Sequence, residues 1–103
     1  MEDVPDWVRA ALADAPVRDD VALEVDGVPL STWTWAGAPG APRLVLVHGG
    51  GAHNGWWSWT APFLAPAFEV VALELSGHGR SGRRPGAYRF GTWADEALAA
   101  AGA

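Results

Sequence analysis

This 103-residue sequence has no cysteine and no lysine. Without cysteine there are no disulfides, no thiolate nucleophile and no cysteine-bound zinc. Without lysine there is no Schiff-base chemistry and no lysine to hold a phosphate in a P-loop. Positive charge is also scarce, with seven arginines against twelve acids and a net charge of −5. The largest basic feature is the pair Arg83-Arg84, too small for a nucleic-acid or anionic-membrane surface. No apolar run approaches the roughly 18 residues of a membrane span. The acidic start Met1-Glu2-Asp3 is unlike a secretory leader, so the expected location is cytoplasmic, with no membrane and no nucleic-acid partner. His48, His53 and His78 share no ligand spacing on one regular element, and no metal or cofactor is implied.

What is present is globular in character: half of the residues are apolar and 18% are charged. The length suits one domain or part of one, burying roughly 60–65% of the unfolded chain's surface. Residues 5–13 read as a short helix, with Val4, Val8, Ala11 and Leu12 at helical spacing. Val21, Leu23 and Val25 alternate with Ala22 and Glu24, as in a half-buried strand. Asp26-Gly27 is a two-residue hairpin turn, and a second strand carries Trp33 and Trp35 on one face and Thr32 and Thr34 on the other. After a Gly/Pro-rich loop at 36–42 the pattern changes. Leu44-Val45-Leu46-Val47 is continuously apolar, as in parallel strands covered on both faces. Residues 57–65 read as a short helix with Pro62 in its first turn. A second apolar strand spans 69–75, and a last helix starts near Thr92, capped by Thr92 with Asp95. That helix puts Trp93, Ala97 and Ala101 on one face and leaves Asp95 and Glu96 toward solvent. The expected fold class is therefore α/β: an antiparallel hairpin, then parallel strands joined by a crossover helix.

Two glycine-rich segments follow the two apolar strands. The first is His48-Gly49-Gly50-Gly51-Ala52-His53. Ligands of open α/β sheets bind at the carboxyl ends of strands, and glycines there let backbone N–H groups approach a ligand closely. The second is Glu74-Leu75-Ser76-Gly77-His78-Gly79-Arg80-Ser81-Gly82. Its Gly77-x-Gly79-x-x-Gly82 fits a dinucleotide fingerprint by letter, but Arg83-Arg84-Pro85-Gly86 follows where a helix must open. Gly50 and Gly55 have P-loop spacing, but Trp56 stands where lysine is required.

Together, the strand ending in His-Gly, the Trp56-Trp57 pair and the later Gly-x-Gly-x-Ser loop resemble the α/β-hydrolase superfamily. The resemblance covers residues 29–101 well and the first 28 weakly, with Glu74 where aspartate is usual. It implies an N-terminal part of an α/β-hydrolase sheet. The backbone N–H of Gly50 would supply half of an oxyanion hole, a role that Gly51 could share. Gly49 and Trp56 would face substrate. At least two of Trp56, Trp57 and Trp59 would be core. His48, Gly77, Gly79 and Ser81 would be structural, bracing the two loops.

The nucleophile of this family sits in Gly-x-Ser-x-Gly on a sharp strand-to-helix turn. None of Ser31, Ser58, Ser76 and Ser81 qualifies; Ser81 comes nearest, with Gly79 before it but Arg83 where the second glycine belongs. The expectation is thus one partial domain over residues 1–103, ending before the nucleophile elbow. It would belong to a hydrolase of ester, amide or related acyl bonds in small-molecule substrates, inactive as the isolated 103 residues. The alternatives are a non-catalytic remnant or, within the fold, an epoxide hydrolase, dehalogenase or haloperoxidase. Without the next strand, the strand at 44–47 would present an open edge, and the isolated chain would self-associate.

Overall fold

The computed structural model describes residues 4–49 and 53–102, with the side chain of Trp56 outside that description. In chain order it contains α1 (Asp6–Leu12), β1 (Val17–Val25), β2 (Val28–Trp35), β3 (Arg43–Val47), two 3₁₀ turns (Asn54–Trp59 and Ala61–Phe63), β4 (Glu69–Leu73) and α2 (Phe90–Ala100). One mixed sheet has the order β1-β2-β4-β3. The hairpin β1-β2 is antiparallel, β2 runs antiparallel to β4, and β3 runs parallel to β4 with Leu46 beside Ala72.

β4 is the centre of the molecule. It is apolar at every position after Glu69 because both of its faces are covered. Val70 and Ala72 pack with Trp35 and Ala61 on one face, while Leu73 packs with Leu30, Leu75 and Ala100 on the other. α2 lays Trp93, Ala97 and Ala100 on the second of these clusters.

Four expectations are corrected. Val21 is 71% exposed and does not share a buried face with Leu23 and Val25. The register shifts between Asp19 and Leu23, and this bulge breaks the two-residue alternation that would have turned Val21 inward. The segment expected as a helix at 57–65 is two 3₁₀ turns. In the first of these, residues three apart share a face, which buries Asn54 and brings Trp57 onto the core, while Trp59 stays 67% exposed. β4 ends at Leu73, two residues short of the expected limit, because Leu75 gives its N–H to His48. α2 begins at Phe90, after Arg89, so Thr92 lies inside the helix and caps nothing.

The sheet has two unlike edges. The β1 edge carries exposed Arg18, Asp19 and Asp20 beside the bulge, and charge and irregularity both discourage strand addition. At the β3 edge, Arg43 precedes an uninterrupted apolar run from Leu44 to Val47. No helix among the described residues is long and apolar enough to cross a membrane.

Candidate functional site

The carboxyl ends of β3 and β4 lie side by side, because Val47 pairs with Leu73 in the parallel register. Each strand runs straight into a glycine-rich loop, so the register alone brings the two loops together. Side chains and backbone N–H groups then tie them.

His48, the first residue after β3, is 6% exposed. Its Nε2 accepts the N–H of Leu75 at 3.1 Å, so its proton sits on Nδ1, which donates to the Gly49 carbonyl at 2.7 Å. Desolvation by burial lowers its pKa below the ordinary histidine value, opposed by the bond to Gly49. The ring is therefore a neutral brace with both nitrogens occupied, and neither is available as a general base. The carbonyl it holds belongs to the Gly49–Gly50 peptide.

Glu74 makes the second tie. Its carboxylate is 4% exposed and accepts the N–H of Asn54 at 3.0 Å and the N–H of Arg80 at 3.1 Å. One side chain thus spans both loops. The extra methylene relative to aspartate is accommodated where Gly79 leaves room: a Cβ on Gly79 would overlap the Glu74 carboxylate. Asn54 adds a bond from its Nδ2 to the Ala72 carbonyl at 2.7 Å. The first loop is therefore fastened to the end of β4 at both its ends, by His48 and by Asn54. Gly50 and Gly51, the expected oxyanion donors, lie between these anchors and outside the described residues.

The second loop is held from within. Ser81 accepts the N–H of Ser31 at 2.8 Å and donates its hydroxyl to the Glu74 carbonyl. Gly77 donates to the Gly82 carbonyl at 2.8 Å, and Gly82 donates to Pro29 at 2.7 Å. Gly77 and Gly79 have φ of +81° and +49°, which favours glycine at both.

Glu96, which the sequence reading placed toward solvent, turns out to be central. Glu96 is completely buried and accepts the Ser76 N–H at 2.7 Å. Arg84 reaches its other oxygen at 2.9 Å, and also contacts Asp26 at 3.1 Å and the Val25 carbonyl at 3.3 Å. The available signal was helical phase: Glu96 lies three residues after Trp93 and four before Ala100, both on the buried face of α2.

Gly49 is exposed, and a Cβ there would meet nothing within 4 Å. Beside His48 a groove of about 300 Å³ runs between β3 and α2, walled by Val47, Leu75, His78, Phe90, Trp93, Ala94 and Ala97. The rings of His48 and His78 are 4.7 Å apart at the head of this groove. Among the described residues, no group of three or more His, Cys, Asp or Glu side chains is placed to hold a metal ion.

A family model described as alpha/beta hydrolase fold matches residues 42–101. A pimeloyl-(acyl-carrier protein) methyl ester esterase of Methylococcus capsulatus is 48% identical over 40 residues, covering 39% of this chain and 16% of that protein. Among solved structures, a bacterial membrane phospholipase A superposes with TM-score 0.70 at 29% identity, covering 93% of this chain and 30% of that one. The thioesterase domain from the curacin biosynthetic pathway superposes with TM-score 0.67 at 29% identity, covering 80% of this chain and 29% of that one. The chain thus spans less than a third of the length of each of these three proteins.

Proposed function

The chain belongs to the α/β-hydrolase fold family, and on that basis we propose that it supplies the oxyanion-hole half of a hydrolase acting on ester, amide or related acyl bonds. A nucleophile attacks the acyl carbon of a small-molecule substrate, and the Gly50 N–H, with Gly51 sharing the role, holds the oxygen that becomes negative. Such a donor is worth about 2.7–4 kcal/mol of barrier. Gly49 and Trp56 border the substrate. The observation that carries this reading is the His48 imidazole, bonded at both nitrogens and gripping the Gly49 carbonyl at the carboxyl end of β3. The esterase and thioesterase relatives support acyl chemistry, and a haloalkane dehalogenase 28% identical to this chain supports the alternative within the fold.

The 103 residues contain no Gly-x-Ser-x-Gly, so the nucleophile, acid and catalytic histidine come from residues outside them, and these 103 residues alone are inactive. The test is to read the coding sequence past codon 103 for an in-frame nucleophile elbow and to assay the resulting chain on p-nitrophenyl esters. A Gly-x-Ser-x-Gly within a few tens of residues, with ester hydrolysis, supports the proposal. An aspartate at the elbow moves the reading to epoxide or haloalkane chemistry, and a stop codon with no restoring frame overturns catalysis altogether.

A further inference from the structure

The completely buried carboxylate of Glu96 has no place in the acyl chemistry proposed above, yet it is bonded on both oxygens. Where β4 gives way to the second loop, three consecutive peptide groups are each held at both ends. In the first, the Glu74 carbonyl accepts from Ser81 and the Leu75 N–H goes to His48. In the second, the Leu75 carbonyl accepts the His78 N–H at 3.0 Å and the Ser76 N–H goes to Glu96. In the third, the Ser76 carbonyl accepts the Trp93 indole N–H at 3.2 Å and the Gly77 N–H goes to Gly82. Neighbouring peptide planes meet at one α-carbon, so holding both fixes the φ and ψ between them, and releasing one frees those dihedrals. Glu96 is the one anionic acceptor in the series, and hydrogen bonds to charged groups are the stronger ones. It grips the plane next to the one that faces His48.

We propose that Glu96 is a positioning residue for the candidate site: by holding the Ser76 N–H it fixes the Leu75 N–H on His48, and so fixes the imidazole that grips the Gly49 carbonyl. Arg84 completes the device. Its guanidinium neutralises Glu96 in the interior and ties it to the Asp26 turn of the β1-β2 hairpin, so that α2, hairpin and loop share one anchor. The catalytic meaning of this linkage rests on the oxyanion reading of the first loop. The linkage itself does not, because it is read on His48 and not on turnover.

The experiment uses the chain labelled with ¹⁵N-histidine. Solution or magic-angle-spinning NMR reads the His48 tautomer and titration whatever the state of association. Two substitutions separate the two functions of Glu96. Glu96→Gln keeps an oxygen for the Ser76 N–H but puts an amide donor against Arg84. Glu96→Asp keeps the charge for Arg84 but withdraws the carboxylate from Ser76 by one methylene. The expected result is an unchanged His48 signature in Glu96→Gln. In Glu96→Asp, the Nδ1–H tautomer becomes a mixture and the titration midpoint moves up toward that of an ordinary histidine. A thermal melt of each variant accompanies the spectra, because a merely structural residue lowers the melting temperature and leaves the His48 tautomer alone. The proposal is overturned by an unchanged His48 in Glu96→Asp, or by a shift in Glu96→Gln that is absent from Glu96→Asp. Should Glu96→Asp not fold, Ser76→Pro, which deletes the N–H itself, carries the same expectation.

Discussion

The described glycines of the two neighbouring loops, Gly49 in the first and Gly77, Gly79 and Gly82 in the second, sit in opposite surroundings. In the second loop the glycines are filled around. A Cβ on Gly77 would meet the Tyr88 ring at 2.6 Å, one on Gly82 would meet Val28 and Pro29 at 2.9 Å, and one on Gly79 would overlap the Glu74 carboxylate. In the first loop, Gly49 has neither a crowding neighbour within 4 Å nor a left-handed backbone. Packing explains the second loop's glycines completely and leaves Gly49 unexplained. The second loop's glycines are thus scaffold, whereas Gly49 leaves open space at the carboxyl end of β3.

The comparison breaks most sharply at Gly79. Gly79→Ala places a methyl group in the Glu74 carboxylate and an L-residue at φ +49°. The expected loss is about 3–4 kcal/mol, the sum of overpacking and left-handed strain, read by chemical denaturation. Glu74→Ala comes next, because it strips an acceptor from the buried N–H of Asn54 and from that of Arg80. The expected cost is about 2–3 kcal/mol. The double variant sharpens the argument: without the Glu74 carboxylate the Gly79 methyl has room, so the two losses should fall short of additive by about 1 kcal/mol or more. Simple additivity would mean that Gly79 is not shaped around Glu74.

Much of this scaffold is legible in the sequence. The continuous apolar runs at 44–47 and 70–73 give the parallel pair, since only strands covered on both faces dispense with polar alternation. Asp26-Gly27 gives the hairpin, with positive φ at both residues. The bulge that turns Val21 outward is not legible, because the two inserted residues leave the local pattern of apolar side chains unchanged. The Arg84–Glu96 pair is hidden for a different reason. Its partners lie twelve residues apart on a loop and a helix. Taking the row Trp93, Ala97 and Ala101 as the buried face left out the position three residues after Trp93, where Glu96 sits, and so assigned both acids to solvent. The roles of Gly50 and Gly51 come from resemblance alone, since backbone donors carry no side-chain signature.

A smaller effect separates the loops by pH. His48 is the tie of the first loop, and burial holds its pKa below its ordinary value of 6.5. The folded chain therefore takes up this proton less readily than the unfolded chain. The contribution of His48 to stability is complete above pH 6.5 and is lost as pH falls below that value toward the folded-state pKa. His48→Gln, titrated by denaturant melts, should flatten this part of the stability curve, whereas Ser81→Ala in the second loop should lower the whole curve by about 1–2 kcal/mol without changing its slope. An unchanged slope in His48→Gln would show that the imidazole is not titrating as a buried brace.

The smallest expected effect on stability bears most directly on function. Gly49→Ala adds a methyl group in open space, and a surface change of this kind lies within about 0.5 kcal/mol. If the melting temperature instead falls as far as in Gly79→Ala, the contrast between the loops is lost and Gly49 is scaffold like the rest. If it holds, the clearance at Gly49 serves no purpose internal to the fold. The same substitution in a chain that carries the nucleophile then has a defined expectation under the proposed function: weaker substrate binding from the added methyl, with the proposed oxyanion donors untouched, so KM rises more than kcat falls. A fall in kcat alone would place the Gly49 methyl against the transition state and move the oxyanion contact toward Gly49 itself.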